Sequence, residues 1–413
     1  MSKFVKLSSV ADLTVGFVGT MAKHYEETGI PFLRSLNIKP FKIVDDDMKY
    51  ISVEFSNDIS KSILHEGDVV IVRTGIPGTC CVVPAEYDGC NCSDVVIVHP
   101  KTDLLNPHYL AAYIKVWGQR QILNNKVGAI QQHFNVHSAE EMLIFLPDIK
   151  EQEKIAEVIV ALNGKIENNN SVCVELEAMA KTLYDYWFTQ FDFPNSEGRP
   201  YRTSGGEMVW NEQLKREIPK GWDAKSISSL CDILSGYSFS STTYSDKGKY
   251  KLITIKNVQD TGVNLEVDNH IERLPENIPE FCKLSYGDIL MSLTGNVGRV
   301  GIMYAENCLL NQRVALIQPN QSYLSGYLYI LFRSAQMRTL MENITTGTSQ
   351  KNLSPVDTGR ILISYDEKIV NCFCDTANGI INKITFCQKE NYELTKLRDW
   401  LLPMLINGQA TVE

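Results

Sequence analysis

Gly67-Asp68-Val69-Val70-Ile71-Val72-Arg73-Thr74-Gly75-Ile76-Pro77-Gly78 returns 220 positions later (67 to 287) as Gly287-Asp288-Ile289-Leu290-Met291-Ser292-Leu293-Thr294-Gly295-Asn296-Val297-Gly298. Around it, Val5-Lys6-Leu7-Ser8-Ser9-Val10 is answered by Lys225-Ser226-Ile227-Ser228-Ser229-Leu230, and Gly16-Phe17 by Gly236-Tyr237. Leu33-Arg34-Ser35-Leu36-Asn37-Ile38 is answered by Ile253-Thr254-Ile255-Lys256-Asn257-Val258. Residues 5–100 thus realign with residues 225–319, the spacing drifting only from 220 to 219. The chain is written twice. Two similar modules in one polypeptide can read two halves of one extended partner, as a dimer would.

Each module reads as a mixed fold. The runs 68–73 and 94–98 have strand composition in the first copy, as do 288–292 and 313–317 in the second. Pro100 and Pro319 close the second strand of each pair, and helical stretches follow around 109–121 and 327–341. The expected fold class is therefore α/β (α+β), built as two tandem modules.

A long helix then follows each module. Apolar residues recur at Ile155, Ile159, Leu162 and Ile166, then Cys173, Leu176, Ala180, Leu183 and Trp187, with Asn169 the one polar interruption. At a spacing of 214 (155 to 369) the second copy gives Ile369, Phe373, Thr376, Ile380, Lys383, Cys387, Glu390, Leu394, Leu397 and Leu401. That 3.5-residue seam is the pattern of helices that pack along their length. Asn169 and Lys383 hold equivalent seam positions, where a polar residue can fix register. The drop from 219 to 214 places a loss of residues in module two between Pro319 and Glu367. The segment from Pro194-Asn195-Ser196-Glu197-Gly198-Arg199-Pro200 to Ser204-Gly205-Gly206 has the turn composition of a linker. The expected layout is a module over 1–148, a long helix over 149–192, a linker over 193–221, a module over 222–365 and a second long helix over 366–408. Connectivity makes the helices an antiparallel coiled coil with pseudo-two-fold symmetry, a spacer about 60 Å long at 1.5 Å per residue.

Composition sets the bounds. At 413 residues, 44% hydrophobic and 22% charged, the chain describes two globular modules. Met1-Ser2-Lys3-Phe4 lacks the apolar core of a signal peptide, so a cytoplasmic protein without a membrane anchor is expected. Eleven cysteines, an odd number, argue against a complete disulfide framework. Cys80, Cys81, Cys90 and Cys92 cluster near His99, but the adjacent pair would point to opposite faces of a strand, so buried thiols are expected rather than a metal site. The net charge of −9 leaves module one at −4 and module two at 0 by residue count, so any polyanion site must be a local patch.

The usual catalytic motifs are missing: no GxxxxGK[ST], GxGxxG, HExxH or GxSxG occurs. Asp357, Asp366, Glu367 and Lys368 could mimic the carboxylate–lysine set of metal-dependent nucleases. The first copy has Gln152, Glu153 and Lys154 where the second has Asp366, Glu367 and Lys368, and acids at a helix start are also favoured there. His133 and His137 stand four apart with no third ligand evident. Gln131, Gln132, His133 and Asn135 in copy one, and Gln350, Lys351 and Asn352 in copy two, form amide-rich stretches preceded by glycine. Such side chains can pair with adenine and guanine edges. The turns at Arg73, Thr74 and Gly75 and at Thr294, Gly295, Asn296 and Arg299 permit close backbone approach to a phosphate.

Particular strings carry a resemblance. Leu183-Tyr184-Asp185-Tyr186-Trp187-Phe188 with Phe191-Asp192-Phe193-Pro194, and Gly205-Gly206-Glu207-Met208-Val209-Trp210-Asn211-Glu212 with Ile218-Pro219-Lys220-Gly221-Trp222, sit within the tandem layout. Together they make the chain resemble the specificity (S) subunit of type I restriction-modification systems over essentially its whole length. The resemblance implies two target-recognition domains, each reading half of a bipartite double-stranded DNA sequence. It implies helices that set the unread gap and dock two modification (methyltransferase) subunits, which use S-adenosylmethionine on adenine. It further implies two restriction subunits that supply ATP- and Mg-dependent translocation and cleavage, so this chain binds no cofactor and is not itself an enzyme.

If the modules read different half-sites, recognition should lie where the copies differ within a shared frame. That points to Arg34 against Thr254, Leu36 against Lys256, Arg73 against Leu293, Ile76 against Asn296, and residues 131–135 against 350–354. Asn37 and Asn257 join the candidates as amides on the same strings. A nuclease built on Asp357, Asp366 and Lys368, and a two-fold adaptor without a nucleic-acid role, are the competing readings.

Overall fold

Each apolar run forms a strand buried on both faces. The computed structural model describes residues 3–118, 121, 134–260, 262–346 and 351–412. The chain divides into two compact units, Met1–Glu167 with Glu393–Glu413, and Asn168–Tyr392. In the first unit an antiparallel sheet runs in the order Ala11–Val15, Val95–Pro100, Val69–Val72, Cys80–Val82. Val69, Ile71, Val96 and Val98 enter one core, while Val70, Val72, Val95 and Ile97 enter another. The two-residue period of the strand splits one continuous apolar run between two cores.

The second unit repeats this order with Cys231–Ser235, Val314–Pro319, Ile289–Ser292 and Val300–Ile302. Ile289, Met291, Ala315 and Ile317 face one core; Leu290, Val314 and Leu316 face the other. Each unit also closes its own ends with a two-stranded pair: Lys3–Lys6 on Leu143–Leu146, and Asp223–Ser226 on Leu362–Tyr365. The shared glycine has a packing reason. A Cβ on Gly16 would stand 2.9 Å from the Cys92 carbonyl oxygen, and one on Gly236 would stand 2.4 Å from that of Asn311. The shared aspartate has a bonding reason. Asp68 accepts the His65 amide and Asp288 the Ser285 amide, each at 2.7 Å, fixing the turn into the strand.

The helices depart from expectation in detail. The stretch around 109–121 begins as the helix Pro107–Tyr113 and continues as a wider helical turn over Ile114–Gly118. The stretch around 327–341 is two helices, Ser325–Arg333 and Ala335–Asn343. Ser334 leaves helical geometry between them and caps the second by accepting the Met337 amide. The segment read as a linker is ordered. Its strands Met208–Asn211 and Arg216–Pro219 form a hairpin, and Phe193 stacks between Tyr201 and Trp222 against the core of the second unit.

The long helices are Ile149–Tyr184 and Glu367–Ile406. In the first unit Arg398 donates to Asn163 at 2.9 Å and Lys154 to the Val412 carbonyl at 2.9 Å, an antiparallel register. In the second unit the direction is again antiparallel. Asn169 donates to Asn391 and Glu390 at 2.9 and 2.7 Å, and Cys173 Sγ approaches the Ile384 carbonyl. Of the seam residues, Ile155, Ile159, Asn169, Phe373 and Ile380 are buried, and Leu162, Ile166, Leu176, Leu183, Ile369 and Leu394 half-buried.

Three seam assignments fail. Lys383 is exposed with its ammonium over the Phe386 ring, Thr376 is exposed, and Leu397 is 42% exposed. The cause is that the second helix packs against the module core as well as the seam. Val370, Phe373, Cys374, Ala377, Ile380, Ile381 and Ile384 are all buried there, a face wider than a 3.5-residue stripe. At Leu397 the inward place goes to Arg398, which bonds Asn163.

One ion pair distinguishes the first sheet. His99 Nδ1 lies 2.6 Å from the buried Asp68 carboxylate, which raises the imidazole pKa above its ordinary value against the opposing effect of partial burial. Gln318 holds the matching position in the second sheet, where burial pushes the Asp288 carboxyl up instead. Because the folded His99 pKa is raised, its stabilising contribution is complete below about pH 6.5 and fades as pH rises through the folded pKa. The urea midpoint of the wild type should therefore fall from pH 6 toward pH 8 more than that of His99→Gln. Equal pH slopes in the two proteins would show that the pair contributes no linkage.

Candidate nucleic-acid interface

The interface begins at the turn that follows the central strand of each module. In module one the turn spans 73–79, closed by Val72 N–H donating to the Thr79 carbonyl and Gly78 N–H to the Val72 carbonyl. In module two Ser292 N–H donates to the Arg299 carbonyl and Gly298 N–H to the Ser292 carbonyl, so the turns share one geometry. Gly75 and Gly295 carry φ of +85° and +72°, the left-handed region that glycine adopts without strain. Both glycines are exposed at the tip, next to Ile76, 73% exposed, and Asn296, also exposed.

The structure brings the two sequence clusters together. In module two Leu353 N–H donates to the Leu293 carbonyl, and Asn352 bridges to both Thr294 and Thr346. Lys351 and Asn352 thus lie against the glycine turn, Lys351 exposed. In module one Arg73 Nε donates to the Phe134 carbonyl at 3.1 Å, which ties that turn to the segment leading into Asn135. Asn135 is exposed, but its side chain accepts the Ser138 amide and caps Val136–Glu140. Thr74 is half-buried. Gln131, Gln132, His133 and Gln350 lie outside the described residues.

Several assignments are corrected by burial. Asn37 is fully buried; it accepts the Arg34 amide and donates to the Val44 and Asp46 carbonyls. Asn257, 3% exposed, does the same with Thr254, Asn264 and Glu266. Both amides staple a loop from inside, and their hydrogen-bonding capacity is taken up there. Neither leaves an amide hydrogen free for a base edge. Their identity in both copies was the signal, since a shared residue belongs to the frame. Thr294 is 2% exposed, held by its backbone bridge to Asn352, so its hydroxyl presents nothing to a ligand. Arg34 is drawn onto Asp47, bonding its carboxylate at 2.9 Å, and Lys256 pairs with Asp268 at 2.7 Å while remaining exposed.

Both carboxylates of the competing nuclease reading are otherwise engaged. Asp366 accepts the Ile369 amide and caps the second long helix, as Asp148 caps the first by accepting the Glu151 amide. Asp357 pairs with Arg360 at 3.0 Å. Cys80 and Cys81 point into different cores, and burial pushes the Cys80 thiol up to about 12. Beside the module-two turn, the expected Arg299 is joined by two residues that the repeat did not mark, Asp260 and Arg338. Arg338 and Arg299 both approach Asp260 there, at 2.8 and 3.5 Å. Arg338 and Arg299 lie 78 and 39 positions from Asp260 (260 to 338, 260 to 299), and Arg299 is answered in the first copy by the uncharged Thr79.

A family model described as the type I restriction modification DNA specificity domain matches residues 2–178 and again 219–368. The type I restriction enzyme HindI specificity subunit of Haemophilus influenzae is 23% identical across 87% of this chain and 91% of its own length. The MjaIX specificity subunit of Methanocaldococcus jannaschii is 26% identical across 66% of this chain, a match spanning 62% of that subunit. The crystal structure of a type I restriction-modification S subunit from M. genitalium superposes with a TM-score of 0.60 at 15% identity, covering 98% of this chain and 96% of that one.

The loop staples can be tested directly. Asn257→Ala leaves the Asn264 and Glu266 carbonyls and the Thr254 amide without their partner, which costs about 2–3 kcal/mol for buried groups. The variant should show a lowered urea midpoint with an unchanged preference among DNA sequences at permissive temperature. A change of preferred sequence without loss of stability would restore Asn257 as a base reader.

Proposed function

Because the chain belongs to the type I restriction modification DNA specificity domain family, with one match in each half, we propose that it reads a bipartite double-stranded DNA target, one half-site per module. The observation that carries this is a common frame with different tips. Both modules present a glycine turn on the same four-stranded sheet, yet Arg73, Ile76 and Thr79 of one stand where Leu293, Asn296 and Arg299 of the other stand. Exposed amides and guanidiniums can discriminate base edges in the major groove. A differing tip on a shared frame reads a different sequence from the same approach.

In this reading the long helices are the spacer and the docking surface for two modification subunits, and two restriction subunits join through the assembly. S-adenosylmethionine would be bound by the modification subunits, and ATP and Mg by the restriction subunits. This chain supplies recognition rather than chemistry. Among the described residues no helix is long and apolar enough to cross a membrane.

Footprinting of the chain assembled with its modification subunits should protect two short blocks separated by unread base pairs. Exchanging residues 1–148 for the corresponding module of another specificity subunit should change one block and leave the other. A single contiguous footprint, or loss of both blocks on exchange in a complex that still assembles, would overturn the bipartite reading.

A further inference from the structure

We propose that Arg299 and Arg338 form a phosphate clamp beside the module-two turn, held in the free protein by Asp260 as a stand-in anion. The proposal rests on the DNA reading above and names the contact through which module two engages the backbone. Asp260 follows the short strand Val258–Gln259, Arg299 ends the glycine turn, and Arg338 lies on helix Ala335–Asn343. Three separate segments converge on one carboxylate. Arg338 Nη2 meets its Oδ1 at 2.8 Å and Arg299 Nε its Oδ2 at 3.5 Å. With its oxygen turned inward, the Asn296 amide accepts from Arg299 Nη1 and Nη2 at 3.1 and 3.2 Å, which holds the guanidinium plane at the tip.

The bland alternative is a surface ion triad that braces the helix against the turn. Its side chains are 34%, 43% and 49% exposed, and exposed pairs contribute roughly 0–1 kcal/mol, so bracing is a weak reason for two arginines on one acid. The charge is also unbalanced. Two guanidiniums share one carboxylate, and the exposed Lys351 stands on the strand segment bridged to the same turn through Asn352. This is a positive spot in a module whose formal charge is zero. A DNA phosphate presents anionic oxygens to the same guanidinium donors and accepts more of them than Asp260 does here. Exchange of carboxylate for phosphate then frees Asp260 to solvent.

At the aligned positions the first module lacks two of the trio. Its turn ends in Thr79, and Pro40 aligns with Asp260. The clamp therefore makes the two half-sites unequal, with module two carrying one more salt-dependent contact.

The test measures binding of the chain, assembled with its modification subunits, to a duplex carrying its target across 0.05–0.3 M salt, values chosen to span the range where counterion release is read. Arg338→Gln should weaken binding by about eight-fold at 0.1 M salt and flatten the log–log salt slope by about 0.9, the counterion term for one phosphate. Asp260→Asn removes the competing anion and should tighten binding, with the slope preserved. Urea midpoints of both variants separate these effects from unfolding. If Arg338→Gln keeps the wild-type affinity and slope, or Asp260→Asn weakens binding in a folded complex, the trio is only a brace and the clamp is wrong. If the wild-type complex binds no duplex, the DNA reading itself fails and the clamp falls with it.

Discussion

Everything in each module hangs on one strand with no solvent face. Val69–Val72 and Ile289–Ser292 are buried along their whole length, alternate side chains feeding two different cores. Such a strand tolerates little change, because every position is packed and every backbone group is paired. Variation is pushed off its end, into the turn that leaves the sheet. That turn is where Arg73 and Ile76 face Leu293 and Asn296 across the repeat. The same constraint that makes the strand invariant in character makes its exit the place where two modules can differ without unfolding.

The sequence pattern exposed the frame well because the frame is periodic. The two strand pairs appear within a residue or two of their expected bounds, and both long helices exist, antiparallel within each unit. What the pattern missed depends on contacts from elsewhere in the chain. Lys383 lies on the 3.5-residue stripe but outside the buried face, because the module core widens that face toward Cys374, Ala377 and Ile381. Ser334 splits a helix because its hydroxyl caps the next one, a local competition that hydrophobic spacing does not register. The segment 193–221 has loop composition, yet its aromatic residues stack into a core. Glycine and proline mark where the chain turns, not whether it packs.

The charge of −9 also resolves locally. Acidic groups cap helices, as Asp148 and Asp366 do, or close loops, as Asp68 and Asp288 do. Basic groups on the loops are partly neutralised, Arg34 by Asp47 and Lys256 by Asp268, which lowers their standing as base readers in the free protein. Around the module-two turn the balance reverses, with Arg299, Arg338 and Lys351 against Asp260. A polyanion meets a protein at such spots, since interactions beyond about 8–10 Å are screened at physiological salt. Net charge is a poor guide here.

Difference between the copies is a useful filter for function, but it needs a second condition. His99 and Gln318 differ at matched positions, and His99 is tied inward to a buried aspartate. That difference bears on stability. Asn37 and Asn257 are polar amides on promising strings, yet identical, buried and fully bonded. Arg299 against Thr79 meets both conditions: the residue changes, and its side chain reaches solvent at the tip of the turn. Applied together, difference and exposure reduce the described candidates in module two to Asn296, Arg299, Lys351, Asn352 and Lys256, of which Arg299 and Lys256 are ion-paired to Asp260 and Asp268. Asn296, Arg299, Lys351 and Asn352 gather around one turn although they come from distant parts of the sequence. Recognition in this module is then a property of the turn and what packs against it, rather than of any one segment.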